Sequence, residues 1–96
     1  MTSLNQILSV ISANKNSLRH KYKISKIGVF GSYCRNEATN DSDFDILVEF
    51  AEPIGLDFVL LAEELENLIG NKVELVSLNA IKPKLREYIE AELVYV

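Results

Sequence analysis

Hydrophobic and polar positions recur with two different periods along the chain, and the changes of period predict the elements of secondary structure. Over about 4–20, leucine and isoleucine return every three or four residues, which predicts an amphipathic helix. The runs at 24–30 and 43–50 are short and β-prone, which indicates strands. The same criteria predict a polar loop at 31–42, a helix at 56–69, a strand at 72–78, a helix at 82–92 and a final short strand at 93–96.

This order of elements predicts an α/β (α+β) fold, with a small mixed sheet and helices packed on one of its faces. The other face would carry the loop and the polar side chains of the strands. A chain of 96 residues fits one domain, 1–96. In the second helix, a stripe that begins with Leu56, Val59 and Leu60 is predicted to enter the core, and Tyr88 and Tyr95 are predicted to pack within the domain.

Composition and charge narrow the class of protein. Hydrophobic residues make up 48% and charged residues 25%, which is typical of a globular protein in water. The chain lacks both an apolar run of about 18 residues and the pattern of a signal peptide, so we expect a cytoplasmic location. The net charge of −4 disfavours direct binding of nucleic acid. The basic cluster at 19–26 is interpreted as a helix end with favourable cations rather than as a phosphate-binding patch.

The chemistry is concentrated in one segment, in which Gly31 and Ser32 are followed by ten residues and then by Asp43-Phe44-Asp45. Side chains alternate along a strand, so Asp43 and Asp45 are predicted to point to the same side and Phe44 to the core. Two carboxylates this close repel each other, and a Mg²⁺ ion that also carries phosphate oxygens removes the repulsion. The Gly-Ser turn can offer backbone N–H groups and a hydroxyl to those phosphates.

A third acid, Glu74, lies in the next predicted strand. If that strand is adjacent to the one with the two aspartates, Glu74 can point into the same cleft. It would then hold a second metal ion or accept a proton from an attacking hydroxyl. The alternative is a salt bridge with Lys72 or a solvated strand residue.

The segment that contains these residues resembles that of a known family. The segment GSYCRNEATNDSDFDILVEF is similar to the G-S-x10-D-x-D signature of the DNA polymerase β-like nucleotidyltransferases. The chain length, KVELV, PKLREYI and the final LVYV resemble the minimal nucleotidyltransferase (MNT) subgroup. The resemblance extends over nearly the whole chain.

The resemblance implies a function and a partner. Members of this subgroup are antitoxins that move AMP from ATP, with two Mg²⁺ ions, onto a tyrosine of a HEPN-domain ribonuclease toxin. It implies that Gly31, Ser32, Arg35 and Ser42 belong to the nucleotide-binding part of the site. It also implies that a metal-binding catalytic group is formed by Asp43, Asp45 and Glu74.

This chain departs from the family pattern at two places. Glu74 replaces the more common aspartate, and its longer side chain moves the carboxylate by about 1.5 Å. Cys34-Arg35-Asn36 replaces the usual Ala-Arg-Gly.

Under a second hypothesis, the chain binds the same partner but does not transfer AMP. It would be a non-catalytic module that neutralises the toxin by covering it. A third, a nucleotidyltransferase for small molecules, is disfavoured because such enzymes usually have an added acceptor domain. The first two hypotheses differ in whether inhibition of the partner needs the aspartates.

Overall fold

The protein was analysed as a computed structural model, which describes residues 4–31 and 43–96. The elements follow the predicted order, and most bounds differ from the predicted ones by one or two residues. They are α1 (Leu4–Tyr22), β1 (Ile24–Phe30), β2 (Phe44–Phe50), α2 (Asp57–Ile69), β3 (Val73–Ser77), α3 (Pro83–Glu90) and β4 (Val94–Tyr95).

The four strands form one mixed sheet in the order β3-β2-β1-β4. Strand β1 pairs antiparallel with both β2 and β4, whereas β2 and β3 run parallel. A parallel pair needs a crossover connection, and α2 provides it between β2 and β3. The prediction of a small mixed sheet is confirmed, and β2, which carries the aspartates, has a neighbour on both sides.

One face of the sheet packs against α1 and α2 to form the main core. Phe44, Ile46 and Val48 of β2 are fully buried, as predicted from the alternation along this strand. They share one apolar cluster with residues of both helices and of β1. Each such side chain contributes about 1.5–3 kcal/mol when it leaves water. The other members of this cluster that are fully buried are Ile7, Ile11, Val29, Leu61 and Leu65.

A second, smaller cluster lies on the opposite face and was not predicted from the sequence. Phe30 and Leu47 pack there with Leu78 and with Ile89 of α3. Leu47 alternates with Ile46 and Val48, so it must point away from the main core. The two long helices therefore cover one face, as expected, while α3 and the C-terminal segment cover part of the other.

The predicted core stripe of α2 is wrong at its start, whereas Leu68 and Ile69 near its end do belong to the main core. Leu56, Val59 and Leu60 are 86%, 56% and 53% exposed, whereas Leu61 and Leu65 are fully buried. This helix has apolar residues on more than one side, so spacing alone does not identify the side that meets the sheet. The buried residues begin at Leu61 and continue to the end of the helix at Ile69, before the left-handed Gly70.

Two tyrosines that were predicted to pack within the domain are also exposed. Tyr88 of α3 and Tyr95 of β4 expose 73% and 51% of their surface. Strand β4 is only two residues long and lies at the edge of the sheet, so Tyr95 has few neighbours to pack against.

The basic cluster at the end of α1 and the start of β1 has local protein partners. Arg19 donates hydrogen bonds to two carbonyl oxygens at the start of β1. Lys21 pairs with Glu64 at 2.8 Å, and this hydrogen bond raises the pKa of Lys21 above its usual value. These contacts fit the interpretation of this cluster as a helix end better than a phosphate-binding patch.

None of the helices in the described part of the chain combines the length and the apolar character that a membrane span requires.

Candidate active site

The start of β2 carries the two aspartates of the predicted site. Asp43 is exposed directly before the strand, and Asp45 is half-buried in its second position. Phe44 lies between them and is fully buried on the helix-covered face. Because successive side chains of a strand point to opposite faces, the two aspartates belong to the face opposite Phe44.

Gly31 meets Asp45 at the end of the neighbouring strand. Phe30 is the register partner of Asp45, so the turn after β1 lies beside the Asp45 carboxylate. Gly31 has a φ of 84°, and a Cβ atom at this position would lie 1.9 Å from Oδ2 of Asp45. The turn thus needs glycine twice, for its left-handed backbone and for this close approach.

Glu74 is aligned with Asp45 across the parallel pair of β2 and β3. Neighbouring strands lie about 4.8 Å apart, and aligned residues of a pair point to the same face. The structure therefore meets the condition set from the sequence, that the strand of Glu74 lies beside that of the aspartates. Glu74 is exposed. Within residues 4–31 and 43–96, however, no three acidic, histidine or cysteine side chains converge closely enough to form a metal-binding group.

Three residues assigned to nucleotide binding by the family resemblance, Ser32, Arg35 and Ser42, lie outside the described residues. Their roles stay predictions.

Glu92 is a site neighbour that the sequence did not reveal. The backbone N–H of Gly31 donates a hydrogen bond to Oε1 of Glu92 at 3.2 Å, and Glu92 is half-buried. The two residues are separated by 61 positions in the chain. No local sequence pattern predicts such a contact. The one indication in the sequence is that Glu92 directly precedes the apolar residues LVYV.

The residues present fit a hard divalent cation. Asp43, Asp45 and Glu74 offer only carboxylate oxygens, which are the ligands that Mg²⁺ prefers. Asp43 and Glu74 are open to solvent, and Mg²⁺ usually keeps several water or phosphate ligands beside one or two carboxylates. The arrangement therefore suits a metal ion that arrives with a phosphate-bearing substrate.

Comparison with known proteins gives the family directly. Residues 13–96 match the family model described as "Polymerase beta, Nucleotidyltransferase". The protein adenylyltransferase MntA of Thermococcus cleftensis is 45% identical over all of this chain and 98% of its own length. A protein of Methanocaldococcus jannaschii, named as a candidate protein adenylyltransferase, is 46% identical over the full length of both chains.

Solved structures agree with the sequence comparison. A structure described as a candidate minimal nucleotidyltransferase has a TM-score of 0.85 and 35% identity, and the match covers 99% of this chain and 97% of that one. A chain of a toxin–antitoxin crystal structure, MntA–HpeT, matches with a TM-score of 0.68 and 25% identity over 100% of this chain and 72% of its own. The signature at 31–45, the mixed sheet that carries it and these matches lead to one conclusion: the protein belongs to the polymerase beta nucleotidyltransferase family, as a minimal nucleotidyltransferase.

Proposed function

We propose that this protein is a Mg²⁺-dependent protein adenylyltransferase that moves AMP from ATP to a tyrosine hydroxyl of a HEPN-domain toxin and thereby acts as its antitoxin. The observation that carries the proposal is the register of the sheet, which aligns Glu74 with Asp45 and brings Gly31 against Asp45. The names of relatives with 45% and 46% identity support adenylyl transfer. The similarity to a chain of a toxin–antitoxin complex supports the partner class.

The reaction is a displacement at the α-phosphorus of ATP. The tyrosine oxygen forms a bond to this phosphorus while the bond to the bridging oxygen of the pyrophosphate breaks. The hydroxyl proton leaves to a base, and pyrophosphate departs with the bonding electron pair. The products are an AMP–tyrosine phosphodiester and pyrophosphate.

Each acidic residue has a role in this scheme. Asp43 and Asp45 would hold the metal ion, with Glu74 available for a second one. Bound Mg²⁺ would neutralise charge on the triphosphate and on the leaving pyrophosphate. Glu74 faces the same side of the sheet as Asp45 and is exposed, so its carboxylate can also accept the hydroxyl proton. The turn at Gly31 would orient the phosphates relative to these acids.

The direct test of AMP transfer is a measurement of the partner's mass. A purified HEPN-domain partner is incubated with this protein, ATP and Mg²⁺, and its intact mass is measured. We expect mass gains in whole units of AMP, and peptide mapping should locate them on tyrosine. The double variant Asp43→Asn, Asp45→Asn should give no gain, because two neutral amides do not replace two carboxylates as ligands of a hard cation.

A matched control shows that the loss belongs to the site. Asp57 is an exposed acid in the first turn of α2, which follows the far end of β2. The variant Asp57→Asn should therefore transfer AMP like the unchanged protein. Undiminished mass gain with the double variant would contradict the metal-binding roles of Asp43 and Asp45.

The second candidate function is neutralisation by binding alone. Exposed apolar side chains at the start of α2, among them Leu56, and Tyr88 on α3 provide surfaces suited to a protein partner. Under this alternative, the double aspartate variant would still inhibit the toxin, and the partner's mass would not change with any variant. Under adenylyl transfer, the double variant loses both the mass gain and the inhibition.

A further inference from the structure

We infer that Glu92 is a positioning residue of the active site: its carboxylate holds the Gly31 backbone and thereby keeps Asp45 in place. This inference rests on the proposed function for its kinetic consequence, but not for its structural one. Gly31 is contacted from two directions. Its N–H donates to Oε1 of Glu92 at 3.2 Å, and its α-carbon lies against the Asp45 carboxylate.

The chain around Glu92 is fixed by contacts on both sides. The backbone N–H of Glu92 donates to the carbonyl oxygen of Ile89, a buried residue in the last turn of α3. After Glu92, Val94 and Tyr95 pair with β1, the strand that ends directly before Gly31. The carboxylate of Glu92 is therefore presented to the turn from a defined backbone position.

Gly28 makes this approach of the C-terminal segment possible. A Cβ atom on Gly28 would lie 2.8 Å from Cδ1 of Leu93 and 3.0 Å from the carbonyl oxygen of Val94. The segment after α3 thus lies directly on β1, with no room for a side chain between them. Gly28 leaves space for this segment beside β1. The N–H of Gly31, the next glycine along the chain, donates its hydrogen bond to the Glu92 carboxylate of the same segment.

The hydrogen bond to Glu92 occupies the Gly31 N–H, which could otherwise donate to a phosphate oxygen. A carboxylate and a phosphate are both anionic acceptors, so the two compete for a single donor. While the hydrogen bond to Glu92 is present, the N–H of Gly31 is not available to a phosphate, so Gly31 would contribute to nucleotide binding through the position of the turn and of Asp45. Because Gly31 contacts Asp45, a shift of the turn shifts a metal-binding carboxylate, and a displacement of about 1 Å can lower a rate by about a hundredfold.

Three variants test this role. Glu92→Ala removes the acceptor, whereas Glu92→Gln keeps a carbonyl oxygen that accepts the same hydrogen bond without the charge. Glu90→Ala is the matched control, because Glu90 is an exposed acid two residues away whose carboxylate pairs with Arg86. All three are compared with the unchanged protein by thermal unfolding, so that the kinetics are measured on folded protein.

The kinetic readout separates positioning from nucleotide binding. For Glu92→Ala we expect kcat for AMP transfer to fall by about 10- to 100-fold, as for residues that orient metal ligands, with a smaller change in KM for ATP. Glu92→Gln should restore most of kcat, and Glu90→Ala should match the unchanged protein. An increase in activity with Glu92→Ala, or a loss with Glu92→Gln as large as with Glu92→Ala, would overturn the inference.

The structural readout needs no activity. Amide hydrogen exchange, followed by NMR, should be faster at Gly31 in Glu92→Ala than in the unchanged protein and should be slow again in Glu92→Gln. Unchanged exchange at Gly31 in Glu92→Ala would overturn the inference even if activity fell. If the unchanged protein transferred no AMP at all, the proposed function would fail, and the exchange measurement would still decide whether Glu92 holds Gly31.

Discussion

The two faces of strand β2 differ in burial and in chemistry. On one face, Phe44, Ile46 and Val48 are fully buried beneath α1 and α2. On the other, Asp43 is exposed, Asp45 is half-buried, and Leu47 packs in the small cluster that includes Ile89. The same seven-residue strand therefore supplies both core and candidate chemistry. Because successive side chains of a strand point to opposite faces, we expect substitutions on one face of β2 to alter stability and those on the other to alter activity.

The largest expected effect on stability comes from the covered face. Ile46→Ala removes a fully buried side chain directly after Asp45, and we expect the free energy of unfolding to fall by about 2–5 kcal/mol. AMP transfer per folded molecule should change little, because the side chain points away from the site. Chemical denaturation and a transfer assay at low temperature measure the two quantities separately.

The matched variant is one position earlier on the opposite face. Asp45→Asn should leave the midpoint of unfolding close to that of the unchanged protein and should abolish transfer. If Ile46→Ala lost transfer while still folded, or Asp45→Asn unfolded the protein, the proposed division between the faces would be wrong.

The next effect comes from the contact between the strands at Gly31. Gly31→Ala would place a methyl carbon only 1.9 Å from Oδ2 of Asp45. The two atoms cannot approach so closely, so the carboxylate must move. A displacement of about 1 Å should lower the rate of transfer by about a hundredfold. The rate is measured with saturating ATP, so that a change in kcat is visible.

Gly55 provides the control for backbone strain. It also has a positive φ, 57°, but an added Cβ would meet no atom within 4 Å. Gly55→Ala should therefore share the strain of Gly31→Ala, about 1–2 kcal/mol, and keep its activity. Equal activity of the two alanine variants would refute the importance of the Gly31–Asp45 contact.

A smaller effect is expected at Glu74, at the edge of the same face. Glu74 is aligned with Asp45, but it is exposed. In the described part of the chain, it does not come close enough to the two aspartates for the three to form a metal-binding group. Glu74→Gln should lower transfer by about tenfold, the size found for residues that support a metal site. Thermal unfolding should be unchanged. A loss as complete as that of Asp45→Asn would show that Glu74 belongs to the central part of the site.

The sequence predicted well those features that depend on local periodicity. The bounds of β1, the burial of Phe44, Ile46 and Val48, and the presence of a helix between β2 and β3 all follow from short-range patterns. Two consecutive strands joined by one loop commonly pair, and the pairing of β1 with β2 brings Gly31 beside Asp45.

Features that depend on tertiary contact were missed. The predicted stripe of α2 began with Leu56, Val59 and Leu60, because apolar residues occur on several sides of this helix. Only packing against the sheet selects Leu61 and Leu65. The contact of Glu92 with Gly31 joins residues 61 positions apart, and no periodicity reports such a distance.

We propose that a nucleotide-bound metal ion binds on the open face of the sheet, beside Asp43, Asp45 and Gly31. Mn²⁺, a paramagnetic substitute for Mg²⁺, can be added with a non-hydrolysable ATP analogue while amide resonances are followed by NMR. We predict that the resonances of Gly31, Asp43, Asp45 and Glu74 broaden first, and that this broadening is lost in the Asp43→Asn, Asp45→Asn variant. Broadening centred elsewhere, or the same broadening in the variant, would show that these aspartates do not hold the metal ion.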